Sequence, residues 1–185
     1  MSRYMNLIGK NAKKASLEKI NSILKNKILK RYALLLDKEK NYIFKANTKD
    51  IKFALKKGLK NSLIDRLAID QKKLDNIRNS IKKIIKLKDP IDNTLEEWSR
   101  PNGLRIKRVS IPIGVIGVIY ESRPNVTSDV ASLCFKSGNA VILKGGSEAI
   151  NTNKILAKLF RKALRENKVN ENFIQFVDSK DRKME

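Results

Sequence analysis

The stretch from Val109 to Ala149, VSIPIGVIGVIYESRPNVTSDVASLCFKSGNAVILKGGSEA, leaves the chain few folds to choose from. Two short apolar runs, Val115–Tyr120 and Ala140–Leu143, are rich in Val and Ile, and each is followed by a polar turn and a helical pattern. Five of the eight glycines fall between Gly114 and Gly146, which marks this stretch off from the Lys-rich helical texture before it. Continuous β-branched runs of this length suit strands covered on both faces, as in a parallel sheet with crossover helices. The unit reads strand, turn, helix, strand, turn, helix. In open sheets of that kind ligands bind beyond the carboxyl ends of the strands. Those ends carry Glu121-Ser122-Arg123-Pro124-Asn125 and Lys144-Gly145-Gly146-Ser147-Glu148, so both tips are candidates for a ligand site.

Before this unit the chain reads as helix. From Leu7 to Leu36 apolar residues recur every three or four positions, as one amphipathic helix or two in succession, with Ser16 or Ser22 as the cap. A further helix is predicted from about Lys38 to Lys57, with Gly58 just past its end. Asp70 is placed to cap the next, whose buried face is Ile77, Ile81, Ile84, Ile85 and Leu87, and Pro90 stops it. The lysines between these apolar positions read as a solvated face. Asp92 to Asn102 is expected to be a loop, with turn chemistry at Pro101-Asn102-Gly103, and Leu104 to Ile111 a strand. After Ala149 a helix runs to about Arg165, and Phe173 to Val177 is a third parallel strand. A sheet ending there leaves an exposed edge, and the polar run Asp178–Glu185 reads as cut short.

With 185 residues and 41% hydrophobic content, the chain is long enough for one domain with a core, or for one domain plus a helical extension. Neither an apolar signal core in MSRYMNLIGKNAKK nor a run of ~20 apolar residues is present, and there is a single Cys. The expectation is a cytoplasmic protein with no membrane span. The absence of His excludes histidine general-base catalysis and histidine metal ligation, and no metal site is expected. The net charge of +22 invites a polyanion-binding reading, yet the excess is spread out: 26 basic against 11 acidic residues over 1–100, and 15 against 8 over the rest. No zinc-finger, basic-zipper or aromatic RNA-binding signature accompanies it. No specific nucleic-acid partner is expected.

Each candidate site has a plainer alternative. In Lys144-Gly145-Gly146-Ser147-Glu148 the glycines would let a ligand approach the backbone, and the helix N-terminus that follows favours anions. The alternative is that Ser147 merely caps that helix. The turn is not a P-loop, and the chain contains no GxGxxG. Asn125 is placed either to cap the helix starting near Val126 or to face a substrate, and Arg123 is placed to receive an anion. Cys134 lies in the apolar segment Val130–Phe135 with no His to lower its pKa, and reads as a small buried hydrophobe.

The words IPIGVIGVIYESRPNVT and SGNAVILKGGSEA resemble the gamma-glutamyl phosphate reductases, also called glutamate-5-semialdehyde dehydrogenases, of the aldehyde dehydrogenase superfamily. The likeness extends to EEWSRPNGLRIKRV, to FVDSKDR, and to Asn47-Thr48-Lys49-Asp50 and Leu63-Ile64-Asp65-Arg66-Leu67 in the helical part. It implies an α/β fold in which an N-terminal helical layer precedes part of a Rossmann-like parallel sheet, an incomplete aldehyde-dehydrogenase-type fold. The organisation it implies is a helical region over 1–90, a linker loop over 91–103 and a partial NADP-binding domain over 104–185, without the catalytic domain. The enzyme implied reduces L-glutamyl 5-phosphate to glutamate 5-semialdehyde with NADPH, in proline biosynthesis. In that reaction a cysteine thiolate displaces phosphate, and hydride then releases the aldehyde. By the same resemblance Lys144, Ser147 and Glu148 meet the adenosine ribose of the cofactor, and Asn125 donates its amide N–H to the oxyanion. The family's nucleophilic cysteine belongs to a segment beyond the end of this sequence. The expectation is a truncated reductase, inactive alone. A cofactor-binding half that joins a separate catalytic chain or forms a homo-oligomer, and a polyanion-binding protein, remain the alternatives.

Overall fold

In the computed structural model, residues 3–178 are described. Periodicity over the first ninety residues resolves into five helices: α1 (Arg3–Ser16), α2 (Ser22–Lys38), α3 (Lys40–Lys56), α4 (Asn61–Leu67) and α5 (Gln71–Lys86). Leu7–Leu36 is two helices, and neither Ser16 nor Ser22 caps the second: Asn21 Oδ1 accepts from the Leu24 N–H at 2.9 Å. Asp70 caps α5 as its position predicts, accepting from the Lys73 N–H at 2.7 Å. Gly58, at φ +67°, turns the chain after α3 in a conformation that costs a residue with a Cβ. The seven-residue α4 has too few turns to show a periodicity.

The Asp92–Asn102 loop expectation is corrected. Thr94–Ser99 forms β1, paired antiparallel with β2 (Arg105–Val109) in a two-stranded ribbon. TLEEWS shows no burial alternation because all six of its residues are exposed. Glu97 faces Lys107 and Arg105, both at 3.3 Å, and Glu96 faces Arg108 at 3.5 Å. Exposed pairs of this kind contribute little each.

The β-α unit forms as read. Strand β3 (Val115–Tyr120) leads to α6 (Pro124–Lys136), then β4 (Ala140–Gly145), a 3₁₀ turn at Ser147–Ala149, α7 (Ile150–Glu166), a second 3₁₀ turn at Glu171–Phe173 and β5 (Ile174–Phe176). The three strands are parallel, in the order β3-β4-β5, with Val115 opposite Ala140 and Val141 opposite Ile174. Phe173 belongs to the turn rather than the strand, and the Val177 N–H still donates to Leu143 O at 2.9 Å. Ser179–Glu185 lie outside the described residues.

One contiguous core joins the helical part to the sheet. Tyr32, Phe160, Phe135 and Phe173 stack in series, with ring centroids 4.5 to 5.6 Å apart, and Tyr32 Oη lies 2.7 Å from Ser128 Oγ. Burial pushes the Tyr32 phenol well above its usual range, so it stays neutral. Two lysines are buried, and Lys25 departs from the solvated face expected of the helical region. Lys25 is 3% exposed and pairs with both oxygens of Asp89, at 3.0 and 3.1 Å. Lys136 is equally buried and donates to Asn26 Oδ1 at 2.7 Å and to Ile85 O. Burial lowers the Lys136 pKa, and the nearby Asp89 opposes that shift.

The firmest tie between the layers is polar. Asp50 of α3 is 1% exposed, and its carboxylate accepts four hydrogen bonds from the first turn of α7. Oδ1 takes the Asn151 N–H and amide at 3.2 and 2.7 Å; Oδ2 takes the Thr152 N–H and hydroxyl at 2.8 and 2.6 Å. One turn earlier, Asn47 donates to Leu67 O at 2.9 Å and Thr152 Oγ1 at 3.2 Å and accepts from the Ile69 N–H at 2.8 Å. The α7 helix has no local side-chain cap. Asp50 supplies it from a hundred residues away, and its charge complements the helix N-terminus. Replacing Asp50 with Ala removes the cap and orphans buried donors. The expected cost is about 2–4 kcal/mol in urea denaturation, with Asp50→Asn losing less because it keeps an acceptor oxygen.

Candidate functional site

Both expected tips lie at the carboxyl ends of parallel strands, where the fold places them. After β3 the chain turns through Glu121 and Ser122; after β4 it turns through Gly146 into the Ser147–Ala149 turn. Glu148 bridges the two. Its Oε2 accepts from Ser122 Oγ and its Oε1 from Ser147 Oγ, each at 2.9 Å. Lys57, just past α3, brings its Nζ to 4.0 Å from the same Oε1. Burial alone would raise the Glu148 pKa. Hydrogen bonds from its own backbone N–H, Ser122 and Ser147, with the Lys57 charge, outweigh burial and hold the carboxyl below its ordinary range. Glu148 is therefore ionised at neutral pH, and the stability it contributes is lost only as pH falls through that lowered value.

The alternative reading of Ser147 is corrected. Its hydroxyl is spent on Glu148, and the turn that begins with it has no side-chain cap. The glycines also have a packing role. A Cβ at Gly145 would lie 2.3 Å from Asn153 Nδ2 and 3.0 Å from the Tyr120 ring, and one at Gly146 would lie 2.7 Å from Ser122 Oγ. The space a side chain would take is filled by the protein's own atoms, so the pair is required by the packing of the two turns. Behind them, Tyr120 Oη donates to Thr127 Oγ1 at 2.6 Å, and Thr127 donates to Asn153 Oδ1 at 2.9 Å. This chain joins β3, α6 and α7, and burial pushes the Tyr120 pKa up to about 12.

Arg123 and Asn125 share one pocket of about 480 Å³, walled on its other side by Asp65, Arg66 and Lys73 from α4 and α5 and the connection between them. Asn125 does not cap α6. Pro124 occupies the first helical position, Arg123 is the cap residue, and the Asn125 amide donates to Asp129 Oδ2 at 3.3 Å. Burial raises the Asp129 pKa, partly offset by that hydrogen bond. Lys144 does not open into this pocket. It lines a separate cleft of about 270 Å³ on the sheet face with Met5, Gly117, Ile119 and Ile142. Strand alternation puts Ile142 and Lys144 on one face and Val141 and Leu143 on the other.

The arrangement thus has two parts. The Ser147–Glu148 turn presents a fixed carboxylate acceptor beside Lys57 of another element. The Arg123–Asn125 pocket brings Arg66, Lys73 and Arg123 together with the carboxylates of Asp65 and Asp129 and the Asn125 amide. Cys134 belongs to neither. It is half-buried on α6, and burial raises its pKa, so the thiol stays protonated at neutral pH. Sequence reading missed Asp65, Arg66 and Lys73, which α4 and α5 carry into the pocket, and Asp129, although its position four residues after Asn125 on a helix is a legible signal.

No family model matches the chain. Curated relatives do. A gamma-glutamyl phosphate reductase from Persephonella marina is 46% identical over 166 residues, covering 90% of this chain and 37% of that protein. One from Clostridium tetani is 45% identical across 100% of this chain and 44% of its own length. Among solved structures, the gamma-glutamyl phosphate reductase of Thermotoga maritima superposes with a TM-score of 0.95 at 40% identity, covering 97% of this chain and 44% of that one. The Saccharomyces cerevisiae enzyme gives 0.90 at 32% identity, covering 98% and 47%. An acetylating aldehyde dehydrogenase from Geobacillus thermoglucosidasius, at 17% identity and a TM-score of 0.69 over 97% of this chain and 37% of that one, shares the fold alone. The chain spans less than half the length of these proteins. Along nearly all of its own length it is a homologue of the gamma-glutamyl phosphate reductases, and it carries part of their aldehyde-dehydrogenase-type fold.

Proposed function

We propose that the chain supplies the cofactor-holding part of an NADPH-dependent reductase that converts L-glutamyl 5-phosphate to L-glutamate 5-semialdehyde in proline biosynthesis, in the cytoplasm. The observation that carries this reading is the Glu148 bridge, which gathers both strand-end turns around one ionised carboxylate. A carboxylate accepts from the hydroxyls of a ribose, and Lys144 adds a cation from the strand. That donor set fits a dinucleotide. Lys144, Ser147 and Glu148 would hold it, on a turn that Gly145 and Gly146 keep compact. NADPH, when bound, supplies hydride.

The chain's own groups act on the substrate side. A primary amide carries two N–H groups. One of those on Asn125 faces Asp129, and we assign the other to the oxyanion that develops at the reacting carbonyl. Arg123, in the same pocket, receives an anionic group of the substrate. The nucleophile is not among these 185 residues. Their single cysteine is protonated, half-buried and distant in role from both turns. The chain alone therefore binds cofactor without turning over substrate.

Thermal unfolding of the purified chain in moderate salt tests the cofactor reading. NADPH at ~100 times its Kd adds about 2.7 kcal/mol, which is roughly 5–10 °C in Tm for a chain of this size. Lys144→Ala and Glu148→Gln reduce the shift. Equal inorganic phosphate gives none; a shift of the same size with any polyanion overturns the reading in favour of charge alone. Alkylation of Cys134 at pH 7 is expected to be at least tenfold slower than that of a free thiol, in keeping with its raised pKa. Fast alkylation of the folded chain would contradict its structural role.

A further inference from the structure

We infer that Lys57 is a specificity-determining residue of the cofactor turn, the cation that lets a nucleotide with a phosphate monoester on its ribose sit beside Glu148. This rests on the cofactor reading above. The problem it solves is one of charge. An ionised carboxylate is a good acceptor for two ribose hydroxyls and a poor neighbour for a phosphate carrying close to two negative charges at pH 7. A turn holding only Glu148 would select the unphosphorylated dinucleotide. Two features of the structure relieve the conflict. Glu148 is drawn back by two hydroxyl donors, Ser122 and Ser147, and so presents less free acceptor to a ribose. Lys57 reaches the turn off the end of α3, with its Nζ 4.0 Å from Glu148 Oε1.

Lys57 is also held in place. Its ammonium lies 4.7 Å from the centroid of the Phe53 ring, one helical turn earlier, and the chain reverses immediately after it at Gly58. Packing over a ring face limits where the charge can swing. Yet the side chain is 48% exposed, and a lysine at 4.0 Å from one carboxylate oxygen retains donors for a second anion. An ordinary surface ion pair at that distance would contribute little to stability. Its position at the mouth of the turn gives it a binding role instead.

Fluorescence titration of the purified chain with NADPH and with NADH, for the wild type and for Lys57→Ala, Lys57→Glu and Lys57→Arg, decides the matter. Lys57→Ala is expected to weaken NADPH about three- to tenfold and to leave NADH within about twofold. Lys57→Glu should weaken NADPH further, and Lys57→Arg should keep most of the preference. The wild-type preference should shrink as salt rises. Adenosine 2′,5′-bisphosphate against adenosine 5′-monophosphate provides the same comparison without the nicotinamide. An equal loss of both nucleotides in Lys57→Ala, or no loss of either, overturns the inference while leaving the cofactor reading standing. A wild-type chain that binds neither nucleotide overturns the cofactor reading, and this inference with it. Melting without nucleotide verifies that each variant is folded.

Discussion

The arrangement of the candidate site depends on the Asp50 carboxylate. The first N–H groups of a helix have no partners within the helix. In this chain Ala149 precedes α7 and offers none, so α3 reaches across with Asp50, while Asn47 ties the same Thr152 to the end of α4 and the approach to α5. The turn carrying Ser147 and Glu148 is therefore anchored from the helical layer at one side and from Ser122 at the other. Its geometry is a property of the joined layers rather than of the sheet.

That dependence explains why the glycines and the polar chain behind them are so tightly fitted. Asn153 lies over Gly145, Thr127 lies against Asn153, and Tyr120 closes the series from the strand. Thr127 is paired on both sides, whereas Asn153 Nδ2 is buried without a partner among the described residues, and an unpaired group in a dry place is costly. The same principle governs the two buried lysines. A chain with a net charge of +22 repels itself, and Lys25 avoids a further penalty by meeting both oxygens of Asp89.

The β-α unit was legible because β3 and β4 are short apolar runs rich in Val and Ile, although one face of β3 stays open at Gly117 and Ile119. Asp70 was legible because a cap three residues before its N–H is a local pattern. What escaped the sequence escaped for physical reasons. TLEEWS is exposed along its length, so there was no alternation to read. The seven residues of α4 complete fewer than two turns. The cap reading of Asn125 fails because Pro124 at the first helical position moves the start of α6 two residues earlier. Asp50 could not be found by any local rule, since its partners lie a hundred residues on. The pocket residues of α4 and α5 were hidden for the same reason.

The ties between layers share one property: each joins a residue from the first ninety to one from the α/β unit. Tyr32 meets Ser128, Asn26 meets Lys136, and Asn47 and Asp50 meet Thr152, all across roughly a hundred positions. Contacts this distant in sequence form late, because the intervening chain must be ordered first. On a ribosome, however, the helical layer emerges before the strands do. Asp50 can be waiting when Thr152 leaves the exit tunnel. Vectorial synthesis thus turns a slow, non-local closure into the docking of a new segment on a prepared surface.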